Sequence, residues 1–213
     1  MKQWILAATI LGAVSLQTVG ASPLQLGFSS IVGSLITFDG SGNFTFVNSG
    51  TNDFQINNDN SGNTGANTAL GLFGNLSGTF AMGTISGGNY APITGSGTLT
   101  IHDSAAQTLT ATVQWIDITT SGTGSTLNDS GVANLSGLTY TGTDADLVTL
   151  KNSILASGTL SFTFNPAVSL STLKSTAEAT TYSGTISAVP EPMTFSLMGA
   201  GLLGLGLLRK RLS

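Results

Sequence analysis

The sequence predicts an all-β protein, an antiparallel β-sandwich of jelly-roll-like form or a barrel, with one short helix and an apolar segment at each end. Apolar and polar residues alternate with a period of two, which is the pattern of a half-buried strand. Clusters of Gly, Asn and Ser interrupt this alternation about every ten residues, as the turns of such folds do. The chain has 213 residues and no cysteine, which excludes a disulfide scaffold and a cysteine-rich zinc site.

The first 21 residues have the features of a secretory signal peptide. Lys2 precedes an uncharged, mostly apolar run over residues 4–14, and Val19-Gly20-Ala21 places small residues before Ser22. These are the charged, apolar and cleavage regions of an export signal. We therefore predict an N-terminal signal helix, cleavage between Ala21 and Ser22, and an exported domain over residues 22–189.

The alternating runs of this domain predict its strands. Residues 35–38 and 44–46 flank a Gly-rich turn, which indicates a hairpin. The apolar phase of residues 109–115 shifts at Ile116 and Ile118, which predicts a β-bulge. The candidate strands are 35–38, 44–46, 54–57, 69–73, 78–85, 99–102, 109–115, 133–141, 160–164 and 180–188.

One segment departs from the period of two. Leu147, Leu150 and Ile154 have helical spacing, Thr143 or Asp144 can cap the first turn, and Gly158 follows the segment. We predict a short helix over residues 144–155. A second short helical turn is predicted over residues 168–173.

The C-terminal region contains a second apolar run. Residues 193–208 carry no charge, and as a helix they would measure about 24 Å, slightly less than a hydrocarbon core of about 30 Å. Arg209, Lys210 and Arg211 follow, and their side chains can extend to lipid phosphates. Because basic residues favour the cytoplasmic side, we predict a transmembrane helix with this basic cluster inside and residues 22–189 outside.

Pro190, Glu191 and Pro192 lie directly before the apolar run. The two prolines remove two N–H donors and keep the backbone extended, so that a protease can reach it. Pro-Glu-Pro, apolar span and basic cluster together resemble the PEP-CTERM sorting signal of Gram-negative bacteria. The resemblance covers residues 190–213. It implies retention in the inner membrane and recognition by an exosortase, an integral-membrane cysteine protease-transpeptidase.

The same resemblance implies a destination rather than an activity. Proteins with this tail typically occur in bacteria that make exopolysaccharide and are thought to reach the cell surface or extracellular matrix. The domains that precede the tail are diverse, so the activity of residues 22–189 has to be read from those residues.

The charge of residues 22–189 argues against polyanionic partners. The span has two lysines and no arginine against eight aspartates and one glutamate, a net charge of −7. A nucleic-acid surface needs many cations to neutralise phosphates, so we expect no nucleic-acid partner. Neutral glycans and cations remain compatible.

No pattern of residues indicates an active site. His102, the one histidine, lies on the polar phase, and its neighbour Asp103 would point to the opposite face of the strand. Adjacency therefore makes no catalytic pair of them, nor a triad with Ser104. No motif pairs Glu178 with a second carboxylate as a glycosidase requires. We predict a non-enzymatic domain without catalytic residues or cofactor.

Two polar patterns have both a structural and a metal-binding interpretation. Residues 57–63 carry oxygen ligands with Gly62 in the sixth place, as in a calcium loop, but Thr68 stands where a bidentate glutamate is required. A polar turn is therefore favoured. Asp144 and Asp146 are interpreted as helix-capping residues. We predict no metal site.

The aromatic residues of the domain have two interpretations, a sugar-binding surface or part of the core. Trp115, Tyr90, Tyr140 and Tyr182 could form a sugar-stacking platform, although the alternation places Trp115 in the core. Asn43, Asn75, Asn128 and Asn134 begin Asn-x-Ser/Thr sequons, which we attribute to chance in a chain this rich in Asn, Ser and Thr.

The favoured function is a structural or interaction protein of the cell surface, linked to exopolysaccharide. A carbohydrate-binding module is the alternative, and a secreted hydrolase is the third choice.

Overall fold

A computed structural model describes residues 23–48, 50–121, 127–153 and 155–189. For residues 127–129 it describes the backbone only. Within these ranges the chain is antiparallel β-structure with two short α-helices and one 3-10 turn, which confirms the all-β class. The helices are α1 (Ala145–Lys151) and α2 (Leu170–Ser175), and the 3-10 turn is Gly65–Asn67. The strands are β1 (Leu24–Ser30), β2 (Leu35–Asp39), β3 (Asn43–Val47), β4 (Phe54–Asp59), β5 (Phe73–Met82), β6 (Tyr90–His102), β7 (Thr108–Ser121), β8 (Leu127–Thr139), β9 (Leu155–Phe162), β10 (Ala177–Thr180) and β11 (Tyr182–Val189).

The strands hydrogen-bond in the order β10-β2-β3-β5-β4-β1-β11-β9-β8-β7-β6, and β6 also pairs with β5. Eight strands therefore form a closed ring of antiparallel ladders, in the order β1, β4, β5, β6, β7, β8, β9 and β11. The other three strands, β3, β2 and β10, extend from β5 as a wing. Closure removes the free edges that make open sheets prone to aggregation.

The apolar residues of alternate positions form one core, to which strands of the ring and of the wing both contribute. Aromatic rings of the wing contact strands with which the wing shares no backbone pairing. Ring centroids lie 5.5 Å apart for Phe38 and Phe162, 5.0 Å for Phe44 and Trp115, and 5.2 Å for Phe46 and Tyr182. The wing therefore folds across the core onto β9, β7 and β11.

The predicted bulge in β7 is confirmed, with one difference. Trp115 pairs with Ala133 and Asp117 pairs with Val132, so Ile116 is the extra residue. Ile118 is fully buried, as the shifted phase predicts, but Ile116 is 39% exposed. The bulged residue has no cross-strand partner, and its side chain faces solvent. The shift of the apolar phase by itself places Ile116 in the core.

The predicted helix starts where expected and ends early. The Asp144 side chain caps α1 by accepting hydrogen bonds from the backbone N–H groups of Asp146 and Leu147, both at 3.0 Å. Helix α1 ends at Lys151 rather than 155, because Leu155 already pairs with Val189 in the β9–β11 ladder. Ile154 lies outside the described residues. Helix α2, capped by Ser169, begins within the predicted second turn 168–173 and ends two residues beyond it, at Ser175.

The predicted strand 69–73 is wrong except for its last residue. Ala69 donates its backbone N–H to the Asp146 carboxyl at 2.8 Å, and Gly71 has a φ of 87°. Both features belong to a turn, since the N–H is not available to a ladder and a positive φ leaves the strand conformation. Strand β5 therefore begins at Phe73.

Candidate functional site

The residues of the predicted signals lie outside the described part of the chain. They are Ala21 and Ser22 at the cleavage point, Pro190, Glu191 and Pro192 of the sorting motif, the apolar run 193–208, and Arg209, Lys210 and Arg211 of the basic cluster. Among the residues that the structure describes, no helix has the length and the apolar character required to cross a membrane.

The chain enters and leaves the described domain at one place. Leu24 opens β1 and pairs with Ala188, and Val189 closes β11 and pairs with Leu155. The segment that precedes Pro23 and the segment that follows Val189 therefore continue from neighbouring strand ends. We call this place the exit end, defined by Pro23, Leu24, Leu155, Ala188 and Val189.

The loop between β4 and β5 fastens the exit end. Asn60 accepts a hydrogen bond from the backbone N–H of Gln25 at 2.7 Å and donates to the carbonyl oxygen of Pro23 at 3.0 Å. Because Asn60 holds the first residues of β1 through its side chain, the start of the domain is ordered directly beside the predicted cleavage point.

The same loop is tied to α1 by a pair of carboxyl groups. Asp146 is 1% exposed, and its two oxygens accept hydrogen bonds from Asn63 Nδ2 at 2.7 Å and the N–H of Ala69 at 2.8 Å. Asp59 accepts from Thr68 Oγ1 at 2.6 Å and from the N–H of Ser61 at 2.7 Å. The calcium-like pattern of residues 57–63 is thus a loop organised by its own side chains together with Asp146.

The two carboxyls differ in their affinity for a proton. Burial, and a hydrogen bond to Asp59, raise the pKa of Asp146. Burial acts in the same direction on Asp59, but hydrogen bonds from Thr68 and Ser61 outweigh it and lower the pKa of Asp59 overall. Two adjacent carboxylates repel each other when both are ionised, so as the pH falls the pair takes up its first proton on Asp146.

A second network joins the β6–β7 turn to the start of α1. Tyr140 donates its hydroxyl to Asp103 Oδ2 at 2.6 Å and accepts the N–H of Asp144 at 3.1 Å. Burial and the hydrogen bond to Asp103 raise the pKa of Tyr140 to about 12. The Tyr140 hydroxyl therefore links Asp103 to the backbone of Asp144. Its raised pKa keeps it protonated, and so a donor, at physiological pH.

His102 and Asp103 take different partners, as expected for consecutive strand residues. His102 Nδ1 lies 3.1 Å from Thr108 Oγ1, and His102 Nε2 lies 3.4 Å from Asn75 Nδ2. Glu178 lies on the wing strand β10. In the described ranges, no three His, Cys, Asp or Glu side chains converge as ligands of a metal ion.

The structure does not assemble the aromatic platform that the sequence offers as an alternative. Trp115, Tyr140 and Tyr182 are buried, and Tyr90 is exposed. Trp115 packs edge-on against Phe44 and donates its indole N–H to the carbonyl of Asp117 at 2.6 Å. The core position that the alternation predicts for Trp115 is confirmed. The platform is excluded because three of its four rings are needed to fill the interior.

Sequence reasoning missed a polar surface on four neighbouring strands. The outward side chains of β5, β6, β7 and β8 stand in register across the ladders, and we call this surface the hydroxyl face. Its two rows are Asn75, Thr100, Thr110 and Thr139, and Ser77, Thr98, Thr112 and Ser136. None of these eight side chains carries a charge. The sequence shows each of these residues as part of the polar phase of its own strand. Their alignment into rows across four strands can be recognised only from the strand register.

The spacing of the hydroxyl face follows from sheet geometry. Neighbouring side chains lie about 4.8 Å apart across strands and about 6.7 Å apart along them. Thr110 and Thr139 already join their hydroxyls at 2.6 Å. The arrangement offers a regular array of donors and acceptors to an uncharged, hydroxyl-bearing partner.

One apolar cavity lies among the inward side chains of the described strands. A cavity of about 30 Å³ lies inside the ring, lined by apolar side chains that include Phe28, Leu76 and Trp115. This volume is close to the share of a single water molecule in the liquid, so neither a sugar nor an organic cofactor fits in this cavity. The hydroxyl face and the exit end are the candidate functional sites. Comparison of the chain with protein-family models, with curated proteins and with solved structures finds no match.

Proposed function

We propose that this chain is an exported protein, anchored in the inner membrane by its C-terminal helix and processed there by an exosortase-like membrane protease. After processing it remains at the cell surface or in the extracellular matrix as a non-enzymatic structural or interaction protein. The observation that carries the proposal is the composite tail: Pro190-Glu191-Pro192, the apolar run 193–208 and the basic cluster 209–211.

The arrangement of the domain supports this role. Strand β11 ends at Val189, so the sorting motif follows the last rung of the sheet without a spacer. The closed ring has no free edges of its own, which suits a protein that persists outside the cell beside other copies. For the scaffold we propose the jelly-roll-like form of the β-sandwich, supported by the contacts that the wing makes across the core.

The hydroxyl face favours a second candidate function, that of a carbohydrate-binding module. Sugars of neutral polymers present hydroxyl groups, which pair with hydroxyl and amide groups and need no charged partner. Such a module would bind through many weak hydrogen bonds rather than through stacked aromatic rings. An exopolysaccharide without charge is the compatible partner.

The sorting role is tested by replacing the two prolines of the motif. In a Gram-negative host with a working exosortase, the double variant Pro190→Ala/Pro192→Ala should insert into the inner membrane but keep its tail, because the extended recognition segment is lost. Mass analysis of the membrane and surface fractions measures this. Deletion of residues 190–213 should release a soluble domain.

The control is Pro92→Ala, which replaces an exposed proline of β6 and should be processed at the normal rate. Normal processing of the double variant would contradict exosortase recognition and leave residues 190–192 as a linker before an anchor.

A further inference from the structure

We infer that the exit end of the domain contacts the outer surface of the inner membrane for as long as the tail is anchored. This inference rests on the proposed function and adds an orientation to it. The exit end is defined above by neighbouring ends of β1, β9 and β11. Its contact with lipid follows from its distance from the apolar run and its exposed apolar side chains, and α1 turns no carboxylate outward beside them.

The distance is set by the chain. Val189 is the last residue of β11, and the apolar run begins at Met193. Four peptide steps span at most about 14 Å. The headgroup region on each side of a bilayer is about 5–7 Å thick. Once residues 193–208 are in the membrane, the last rung of the β9–β11 ladder cannot lie far from the lipid headgroups.

The outer surface of this ladder changes character at its last rung. Leu155 and Val189 pair directly and are 70% and 50% exposed. Opposite residues of an antiparallel ladder share a face, so the two side chains form one apolar patch. The next outward rungs are polar throughout: Ser157 with Ser187, Thr159 with Thr185, and Ser161 with Ser183. Exposed aliphatic residues therefore occur on this surface only at the rung nearest to the predicted membrane span.

The charges that flank this rung along the chain are of both signs, with Lys151 before Leu155 and Glu191 after Val189. Helix α1 packs on β1, β8 and β11, and its acidic residues Asp144 and Asp146 are turned inward and buried. Lys151 ends the helix four residues before Leu155 and is exposed. A lysine next to aliphatic side chains can place its ammonium group at lipid phosphates while its stem covers apolar surface. Carboxylates turned inward do not repel those phosphates.

The size of the patch argues for lipid rather than for a second copy of the chain. A stable protein interface buries about 800 Å² on each partner, and two side chains offer only a fraction of that area. A membrane surface requires no such area from the domain, because the tail already supplies the anchor.

The absence of cysteine from the chain permits a direct test. Full-length chain carrying Leu155→Cys is labelled with a fluorophore and reconstituted into phosphatidylcholine vesicles that contain nitroxide-labelled lipid. The matched control is Val32→Cys, which replaces a 96% exposed apolar residue beyond the far end of β1. We expect the nitroxide lipid to quench the label at position 155 at least threefold more than the label at position 32.

Equal quenching at the two positions, in chains that float with the vesicles, would overturn the inference and leave the anchor intact. Spontaneous disulfide dimers of the unlabelled Leu155→Cys chain, without lipid quenching, would also overturn it and identify a second copy as the occupant. Chains that fail to float with the vesicles would instead refute the membrane anchor itself, and the inference with it. The same quenching measurement on Val189→Cys provides an independent test at the same rung.

Discussion

Asp146 illustrates how much depends on single buried side chains in this domain. Its carboxyl accepts hydrogen bonds from a backbone N–H and an amide group that precede it by 77 and 83 residues, and burial and a hydrogen bond to Asp59 raise its pKa. A carboxyl whose pKa is raised by folding stabilises the fold while it is protonated. That contribution is complete below the ordinary value of 3.8 and is lost as the pH rises through the raised pKa of the folded state.

We therefore predict that Asp146→Asn weakens the pH dependence of stability. The amide cannot ionise, so the loss of stability with rising pH that Asp146 causes should be absent from the variant. Urea denaturation at a series of pH values, beginning near the ordinary pKa of 3.8 and rising from there, measures it. Asp39→Asn is the control, since Asp39 is exposed and its pKa is lowered by hydrogen bonds from Asn43 and Ser41. An unchanged pH profile in Asp146→Asn would contradict the raised pKa of Asp146.

Ala106 gives a second prediction for a single residue. Its φ is 61°, and no other residue except glycine has a positive φ in the described ranges. Left-handed backbone costs a residue with a Cβ about 1 kcal/mol, which glycine avoids. Ala106→Gly should raise the free energy of unfolding by up to about 1 kcal/mol, or Tm by about 2–4 °C. Ala105→Gly, without a positive φ to relieve, should not stabilise; a lower Tm for Ala106→Gly would refute the strain.

At the scale of elements, strands β5 and β6 approach each other more closely than side chains allow. A Cβ on Gly97 would meet the carbonyl oxygen of Ser77 at 1.9 Å, whereas a Cβ on Gly158 would have no atom within 4 Å. Backbone atoms of a closed ring cannot yield as the tip of a flexible side chain can. The close approach lies where the β6–β7 register shifts, between Pro92 and Gly97.

We predict that Gly97→Ala destabilises the domain by about 1–3 kcal/mol or more, the usual cost of overpacking. Gly158→Ala on β9 is the matched control, and it should be neutral or stabilise by up to about 1 kcal/mol. Thermal unfolding of the two variants separates them. Similar Tm values for both would show that β6 can move away from β5.

At the scale of the whole molecule, the charge of the domain and its uncharged hydroxyl face belong together. The net charge of −7 on residues 22–189 is the sum of nine acidic residues and two lysines, none of which is in the two rows of the face. A neutral polymer can approach these rows without displacing counterions, so its binding should depend weakly on salt.

If the face binds neutral polysaccharide, the double variant Thr98→Glu/Thr112→Glu should bind it at least tenfold more weakly. The added carboxylates must be desolvated beneath the polymer, and two hydroxyl partners are lost. Retardation of the full-length chain in gels containing dextran measures this, with Thr84→Glu, an exposed position outside the rows, as control. Equal retardation of both variants would remove the carbohydrate-binding alternative.

The sequence alone determined the features that depend on near neighbours. Alternation identified the all-β class, the inward position of Trp115 and the bulge at Ile116, because side-chain direction repeats every two residues along a strand. The cap at Asp144 was predictable because capping acts within three residues. Helix α1 was predicted too long, because ladder pairing with β11 took Leu155 from it.

Only the tertiary structure decided the closure of the ring, the pairing of β1 with β11, the Asp59–Asp146 pair and the rows of the hydroxyl face. Each of these joins residues that are distant in the chain, and each requires one strand to choose its neighbour and register among many that have the same alternation. A period of two repeats identically in every strand. It assigns a face to each side chain, but it does not identify the neighbouring strand.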